Sequence, residues 1–228
     1  MSDSYFDEYA SSYDEDLHKA LSVSGEDKNY FAQGRMLWLA KWLQSNGKES
    51  RSVLDFGCGT GSATPFIQEC LKPREVVGVD VSAGSLKVAQ ETFGSEDTSF
   101  ALIETPRSDS FDVAFCNGVF HHIDPAERQE SLAYVFDSLK PGGVFALFEN
   151  NPWNPATVYV MNRCAFDKDA ITLPPTETRH RMQKAGFEIL STRFLFIFPS
   201  LLKFLRPLEH PLSALPFGTQ YCVVGQKP

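Results

Sequence analysis

One stretch constrains this chain more than any other: Val53-Leu54-Asp55-Phe56-Gly57-Cys58-Gly59-Thr60-Gly61. A short apolar run of strand character passes directly into alternating glycines. Residues 63–71 beyond them carry a helical pattern, with Pro65 in the tolerated first turn. The glycines permit a tight turn and let a ligand come close to the backbone. The start of the following helix favours an anionic group such as a carboxylate. Asp55 ends the strand, aimed at the loop, where an acid can pair with an α-amino group. Amine and carboxylate together describe an amino acid, or a ligand that contains one. A dinucleotide fingerprint is not met, because the spacing is GxGxG and Ala63 follows Ser62.

The chain extends this unit. Residues 75–80 (EVVGVD) read as a second strand ending in Asp80. That lies about 20 residues past the glycines, where a carboxylate accepts hydrogen bonds from ribose hydroxyls. A turn or helix cap is the other use of an acid at a strand end; its pairing with the loop favours the ribose. Val81 follows, placed to lie against an adenine. Ser82 can cap a helix to about Phe93, 98–103 is a weaker strand, and 111–116 (FDVAFC) a strong one. Asp124-Pro125 opens a helix with Glu127 in capping-box position. Lys140-Pro141-Gly142-Gly143 turns into a strand at 144–149, a helix spans about 177–185, and strands cover 187–198 and 220–226. This alternation predicts an α/β fold: a Rossmann-like, doubly wound, seven-stranded mixed sheet with an antiparallel last strand and helices on both faces. Two earlier helices, at 5–21 and 28–44, make residues 1–47 an N-terminal helical cap on a domain spanning 48–228. Residues 150–175 and 199–218 are expected to be additions on the acceptor side or for interaction.

Composition narrows the function. A formal net charge of -8 without a Lys/Arg-rich tract argues against a nucleic-acid partner. The five cysteines form no CxxC and no Cys/His set with metal spacing, so no metal is expected, and their odd number without a framework fits a reducing compartment. The acidic N-terminus is unlike a signal peptide, and no apolar run approaches the roughly 20 residues that span a bilayer. The expectation is a cytoplasmic protein with a small-molecule partner.

DFGCGTG, GVDVS, FDVAFCNGVFHHI and LKPGGVFALFE, in this order, resemble the ordered motifs of class I S-adenosylmethionine-dependent methyltransferases. The likeness covers about residues 50–150 and is closest to the bacterial branch that includes quinone-biosynthesis and small-molecule methyltransferases. It implies S-adenosylmethionine as cofactor and S-adenosylhomocysteine as product. By position, Asp55, Gly57, Cys58 and Gly59 would line the methionine end, Asp80 would hold the ribose, and Asn117-Gly118 would approach the methionine backbone or the sulfonium. Many relatives place an acid beside the adenine amine after the third strand. Here Ala101 or Leu102 falls there, with Glu104 slightly further along, so Leu102 is assigned to an apolar adenine contact.

Methyl transfer from a sulfonium is an in-line displacement, and a base is needed only if the acceptor must lose a proton. His122 is the candidate catalytic residue, as base or as a group orienting the acceptor; packing in support of its loop is the alternative. Tyr13, with Tyr5 and Tyr9, is placed to close over the cofactor, or else to pack on the domain. Asn150, Asn151, Trp153 and Asn154 are plausible acceptor contacts or turn residues. Arg163, Arg179 and His180 are candidates for an anionic acceptor group or for solvated surface. The apolar segment 194–217 is expected to be core up to 198; beyond that it is either core or a surface for a lipid-like acceptor, a membrane or another subunit. A nucleotide-binding oxidoreductase and a non-catalytic binding protein are the competing functions.

Overall fold

The computed structural model describes residues 25–104, 106–164, 167 and 169–228. Helix α1 (Lys28–Ser45) starts where the Asp27 side chain accepts from the Tyr30 N–H at 2.8 Å, and stops at Asn46 and Gly47, the latter at φ +62°. Then follow β1 (Ser52–Phe56), α2 (Thr64–Leu71), β2 (Glu75–Asp80), α3 (Ala83–Phe93), β3 (Thr98–Leu102), β4 (Phe111–Asn117), α4 (Arg128–Ser138) and β5 (Leu139–Asn150). Helices α5 (Pro155–Met161) and α6 (Pro175–Lys184), strand β6 (Glu188–Leu195), a 3-10 segment (Ser200–Leu208), the short α7 (Glu209–Leu212) and β7 (Gln220–Gln226) follow among the described residues.

Among the described residues the strands form one seven-stranded sheet in the order β3-β2-β1-β4-β5-β7-β6. β1 pairs in parallel with β2 and β4, through Val53 to Val76 and to Val113, while β7 pairs antiparallel with both β5 and β6. The last strand therefore runs against the others, as the sequence pattern predicts. One face carries α4 and α6, with Leu132, Val135 and Met182 packed on Leu54, Phe145 and Tyr221. The other carries α1 and α2, with Met36, Leu39 and Ile67 packed on Val53, Phe115 and Phe148. Strand side chains alternate between these two cores, which explains why β1 is buried at all five positions. Residues 5–21 and Tyr13 lie outside the described residues.

Local boundaries differ from the sequence pattern for identifiable reasons. β5 begins at Leu139 rather than Val144, because Leu139 pairs with Phe111 and the ladder shifts register before Val113. Gly142 at φ +81° and Gly143 exchange backbone bonds with Lys227, which extends the sheet through the Pro-Gly-Gly. Asp124 accepts from the Ala126 N–H and opens a turn, so α4 starts later, and Glu127 makes no capping bond. The Asn/Pro region after β5 is structural. Asn154 caps α5 through Ala156 and Thr157, and Asn151 donates to the Pro216 and Gly218 carbonyls. Asn154 also donates to Phe217, so the additions at 150–175 and 199–218 are bonded to each other. Phe194, Leu195 and Phe196 are core, whereas Leu201 and Phe204 are 86% and 72% exposed. No described helix is long and apolar enough to cross a membrane.

Candidate active site

The strand order reverses between β1 and β4, so the loops leaving their carboxyl ends diverge and open a crevice, the usual ligand position in doubly wound sheets. The loop after β1 is tied to β2 at several points. The Gly57 and Cys58 N–H groups donate to the Val79 carbonyl at 2.8 and 3.0 Å. The Gly59 N–H donates to Asp80 Oδ2 at 2.8 Å, and the Ser82 N–H to Asp80 Oδ1 at 2.9 Å. Asp80 thus holds the glycine loop and the entry to α3, with lone pairs remaining on both oxygens. Gly57 is the position where glycine is required. Its φ is +72°, and a Cβ there would lie 2.4 Å from Val119 Cγ2 on the loop after β4.

These loops enclose a pocket of about 550 Å³. Asp55, Gly57, Cys58, Gly59, Asp80, Val81, Asn117, Gly118 and His122 all line it. Leu102 does not: β3 ends at this residue, paired with Asp80, and the chain bends as the Ile103 N–H donates to the Asp80 carbonyl. Ile103 and Glu104 therefore form that wall, which corrects the assignment of Leu102 and puts an acid at the mouth after all. Arg35 also lines the pocket, as do Glu127, Glu130 and Tyr134 near its opening. The only sequence signal for Arg35 is a charge among the apolar positions of its helix, which does not say which way it faces. The α4 residues carry none, because only the tertiary fold sets which side of that helix faces the crevice. Arg163 lies instead over the Tyr159 ring, and Arg179 bonds Thr192.

The floor is electrostatically unusual. Asp55 is buried and its Oδ2 has no hydrogen-bond partner. Burial, with the Asp80 charge adding to it and Arg35 opposing, pushes its carboxyl up to about 7. Asn117 Oδ1 is likewise buried without a partner. Burial and the same two aspartates push the Cys58 thiol up, which makes it an inert wall.

Beside the pocket lies a second polar group. His121 is buried, and its Nδ1 sits 2.6 Å from Glu149 Oε2, while Glu149 Oε1 accepts from the Phe120 N–H at 2.7 Å. Burial alone would lower the His121 pKa, but Glu149 and Asp167 outweigh it and raise it to about 10. Burial, then the neighbouring His121, lowers His122 to about 4. His122 is therefore neutral at pH 7. It can accept a hydrogen bond but is a weak base, so its surroundings suit orienting an acceptor better than deprotonating one.

A crevice at the switch point of a 3-2-1-4-5-7-6 sheet, with an acid before a GxGxG loop and a second acid ending β2, is the arrangement of the class I S-adenosylmethionine-dependent methyltransferases, and the comparisons place this chain beside them. Residues 54–145 match the family described as "Methyltransferase domain". An uncharacterized methyltransferase of Geobacillus kaustophilus is 34% identical over 151 residues, covering 62% of this chain and 64% of its own. Malonyl-[acyl-carrier protein] O-methyltransferase of Halalkalibacterium halodurans is 34% identical over 125 residues, covering 50% and 43%. The chain thus spans less than two thirds of the length of either relative. Among solved structures, a chain of the complex between the Haloferax volcanii Trm112 methyltransferase activator and a methyltransferase superposes with a TM-score of 0.66 at 20% identity, covering 98% of this chain and 97% of that one. An S-adenosylmethionine-dependent methyltransferase from Archaeoglobus fulgidus gives 0.61 at 17% identity, covering 88% and 100%.

Proposed function

We propose that this protein transfers a methyl group from S-adenosylmethionine to a small-molecule oxygen, nitrogen or carbon nucleophile by in-line displacement. The observation that carries the reading is the unpartnered Asp55 carboxylate oxygen, buried on the pocket floor in company with Arg35. A buried acid without a partner is costly unless a cation completes it. An acid and a guanidinium lining one pocket match the ammonium and carboxylate of an amino-acid moiety. Asp80 offers its remaining lone pairs where a ribose would lie, and Asn117 Oδ1 is a second acceptor awaiting a donor.

When bound, S-adenosylmethionine supplies a methyl group already activated by the positive sulfonium. The chain's own part is to hold, orient and exclude water. Asp55 and Arg35 would fix the amino-acid end, and Asp80, Val81 and Ile103 the nucleoside end. Neutral His122 would accept a hydrogen bond from the acceptor and aim its nucleophilic atom. Glu104, Glu127 and Glu130 make the mouth acidic, which disfavours an anionic acceptor.

The test is to incubate the protein with S-adenosylmethionine and panels of hydroxyl, amine and carbon acceptors and to measure S-adenosylhomocysteine formed. Acceptor-dependent product supports the reading; cofactor binding without turnover on any panel would turn it toward a non-catalytic binding protein. Assembly with a protein partner is the second reading, suggested by the likeness to a chain of an activator complex and by the exposed Leu201 and Phe204.

A further inference from the structure

We propose that His121, His122 and Asp167 form a binding site for a divalent transition metal ion, zinc by preference, at the edge of the cofactor pocket. The sequence shows no metal set, because the cysteines are scattered and Asp167 comes from a distant segment. The fold brings the three together, with their donor atoms all within 4.8 Å of one another. Asp167 Oδ1 lies 3.4 Å from His121 Nε2 and 3.6 Å from His122 Nε2. Ligands about 2.1 Å from a tetrahedral zinc stand about 3.4 Å apart, whereas cis ligands of an octahedral ion of the same bond length stand about 3.0 Å apart. Both of these edges lie nearer the tetrahedral value than the octahedral one.

Two further observations support an ion here. Glu149 binds His121 Nδ1 at 2.6 Å and is itself fixed by the Phe120 N–H, which orients the imidazole with Nε2 toward Asp167. Metal-bound histidines characteristically have such a carboxylate behind them. All three ligands are shielded, at 3%, 12% and 15% side-chain exposure, unlike the solvated acid clusters that bind nothing. Imidazole and carboxylate donors suit zinc and its neighbours over calcium or magnesium.

Three protein ligands leave a fourth position open, the pattern of a working rather than a purely structural zinc. His122 also lines the cofactor pocket, which puts the site next to the place where an acceptor would enter. A neutral hydroxyl, whose oxygen such an ion would bind and acidify, is the acceptor class it selects. This role rests on the methyl-transfer reading; the site itself does not.

The test uses the full chain, stripped with chelator and titrated with Co²⁺ and with Zn²⁺, without cofactor. The proposal expects one equivalent of Co²⁺ with the intense visible bands of tetrahedral coordination, displaced by Zn²⁺. Asp167→Asn and His122→Ala should each weaken Co²⁺ binding at least tenfold, and surface His180→Ala should leave it unchanged. His121→Gln is a less safe variant, since it also breaks the Glu149 pair; Asp167, nearer the surface, keeps the test valid if that variant misfolds. Absence of a stoichiometric cobalt spectrum, or equal affinity in wild type and Asp167→Asn, overturns the proposal and leaves His121 as a buried ion pair only. Calorimetry with S-adenosylhomocysteine on the same sample separates the two ideas. Cofactor binding without cobalt binding sinks the metal site alone, and cobalt binding without cofactor binding keeps the site and sinks the methyl-transfer reading.

Discussion

Replacing Asp55 by asparagine should stabilise the cofactor-free protein and weaken its hold on the cofactor. Burial, the Asp80 charge and the counteracting Arg35 leave the folded Asp55 carboxyl titrating at about 7, against 3.8 for the ordinary group. The folded state therefore holds its proton to higher pH than the unfolded chain does. Ionisation costs the native state progressively as pH rises from about 4 to about 7, and the full cost applies above that. At about 1.4 kcal/mol per pKa unit, the penalty is about 4 kcal/mol at pH 8 and under about 2 kcal/mol at pH 5. Asparagine removes the charge but keeps an amide to be satisfied, so a gain of about 2 kcal/mol is the reasonable lower figure. For a chain of this size that raises Tm by at least about 4 °C. The assay is thermal unfolding of wild type and Asp55→Asn at pH 8 and pH 5, without ligand. The stabilisation should be larger at pH 8. In parallel, calorimetry should show S-adenosylhomocysteine affinity down by about tenfold or more, the value of a charge-assisted hydrogen bond. A variant no more stable than wild type at pH 8 would refute the idea that Asp55 is a charge kept for a ligand.

Asp80→Ala should lower cofactor affinity at least tenfold and also lower Tm, because Asp80 anchors the Gly59 and Ser82 amides; unchanged affinity in calorimetry removes it from the site. Gly57→Ala should add about 1–2 kcal/mol of backbone strain and force Val119 aside, with loss of cofactor binding at nearly native circular dichroism; wild-type affinity would contradict the close loop contact. Glu149→Gln should cost about 3–5 kcal/mol by leaving the buried His121 without its carboxylate, read as a marked fall in Tm; a neutral result would mean that the pair carries little. His122→Ala should leave cofactor affinity nearly intact and slow single turnover about 10²-fold, the cost of a misplaced acceptor. A wild-type rate on that variant excludes any catalytic role.

The sheet was legible because its signals are local and mutually consistent: alternating strand and helix periods, glycines where the turns are tight, and an apolar β7 with no crossover helix before it. Asp55, the glycine loop and Asp80 were legible because their spacing along one βαβ unit fixes their spacing in the crevice. Leu102 was misplaced by a single bend, where Ile103 bonds back to the Asp80 carbonyl, and a one-residue bend leaves no trace in periodicity. Arg35 and the α4 acids were missed because helix rotation about the sheet is set by packing. The Glu149–His121–Asp167 group joins three segments distant in sequence, and nothing local announces such a meeting. The Asn-rich turn after β5 drew attention as an acceptor contact, but Asn151 and Asn154 spend their amides on the 216–218 carbonyls.

The most direct test of the central claim is calorimetric titration of the full chain with S-adenosylhomocysteine, repeated on Gly57→Ala and with a nicotinamide dinucleotide as competitor. The site described here predicts saturable one-to-one binding that Gly57→Ala abolishes and the dinucleotide does not displace. No binding, or binding that survives Gly57→Ala and yields to the dinucleotide, would contradict it.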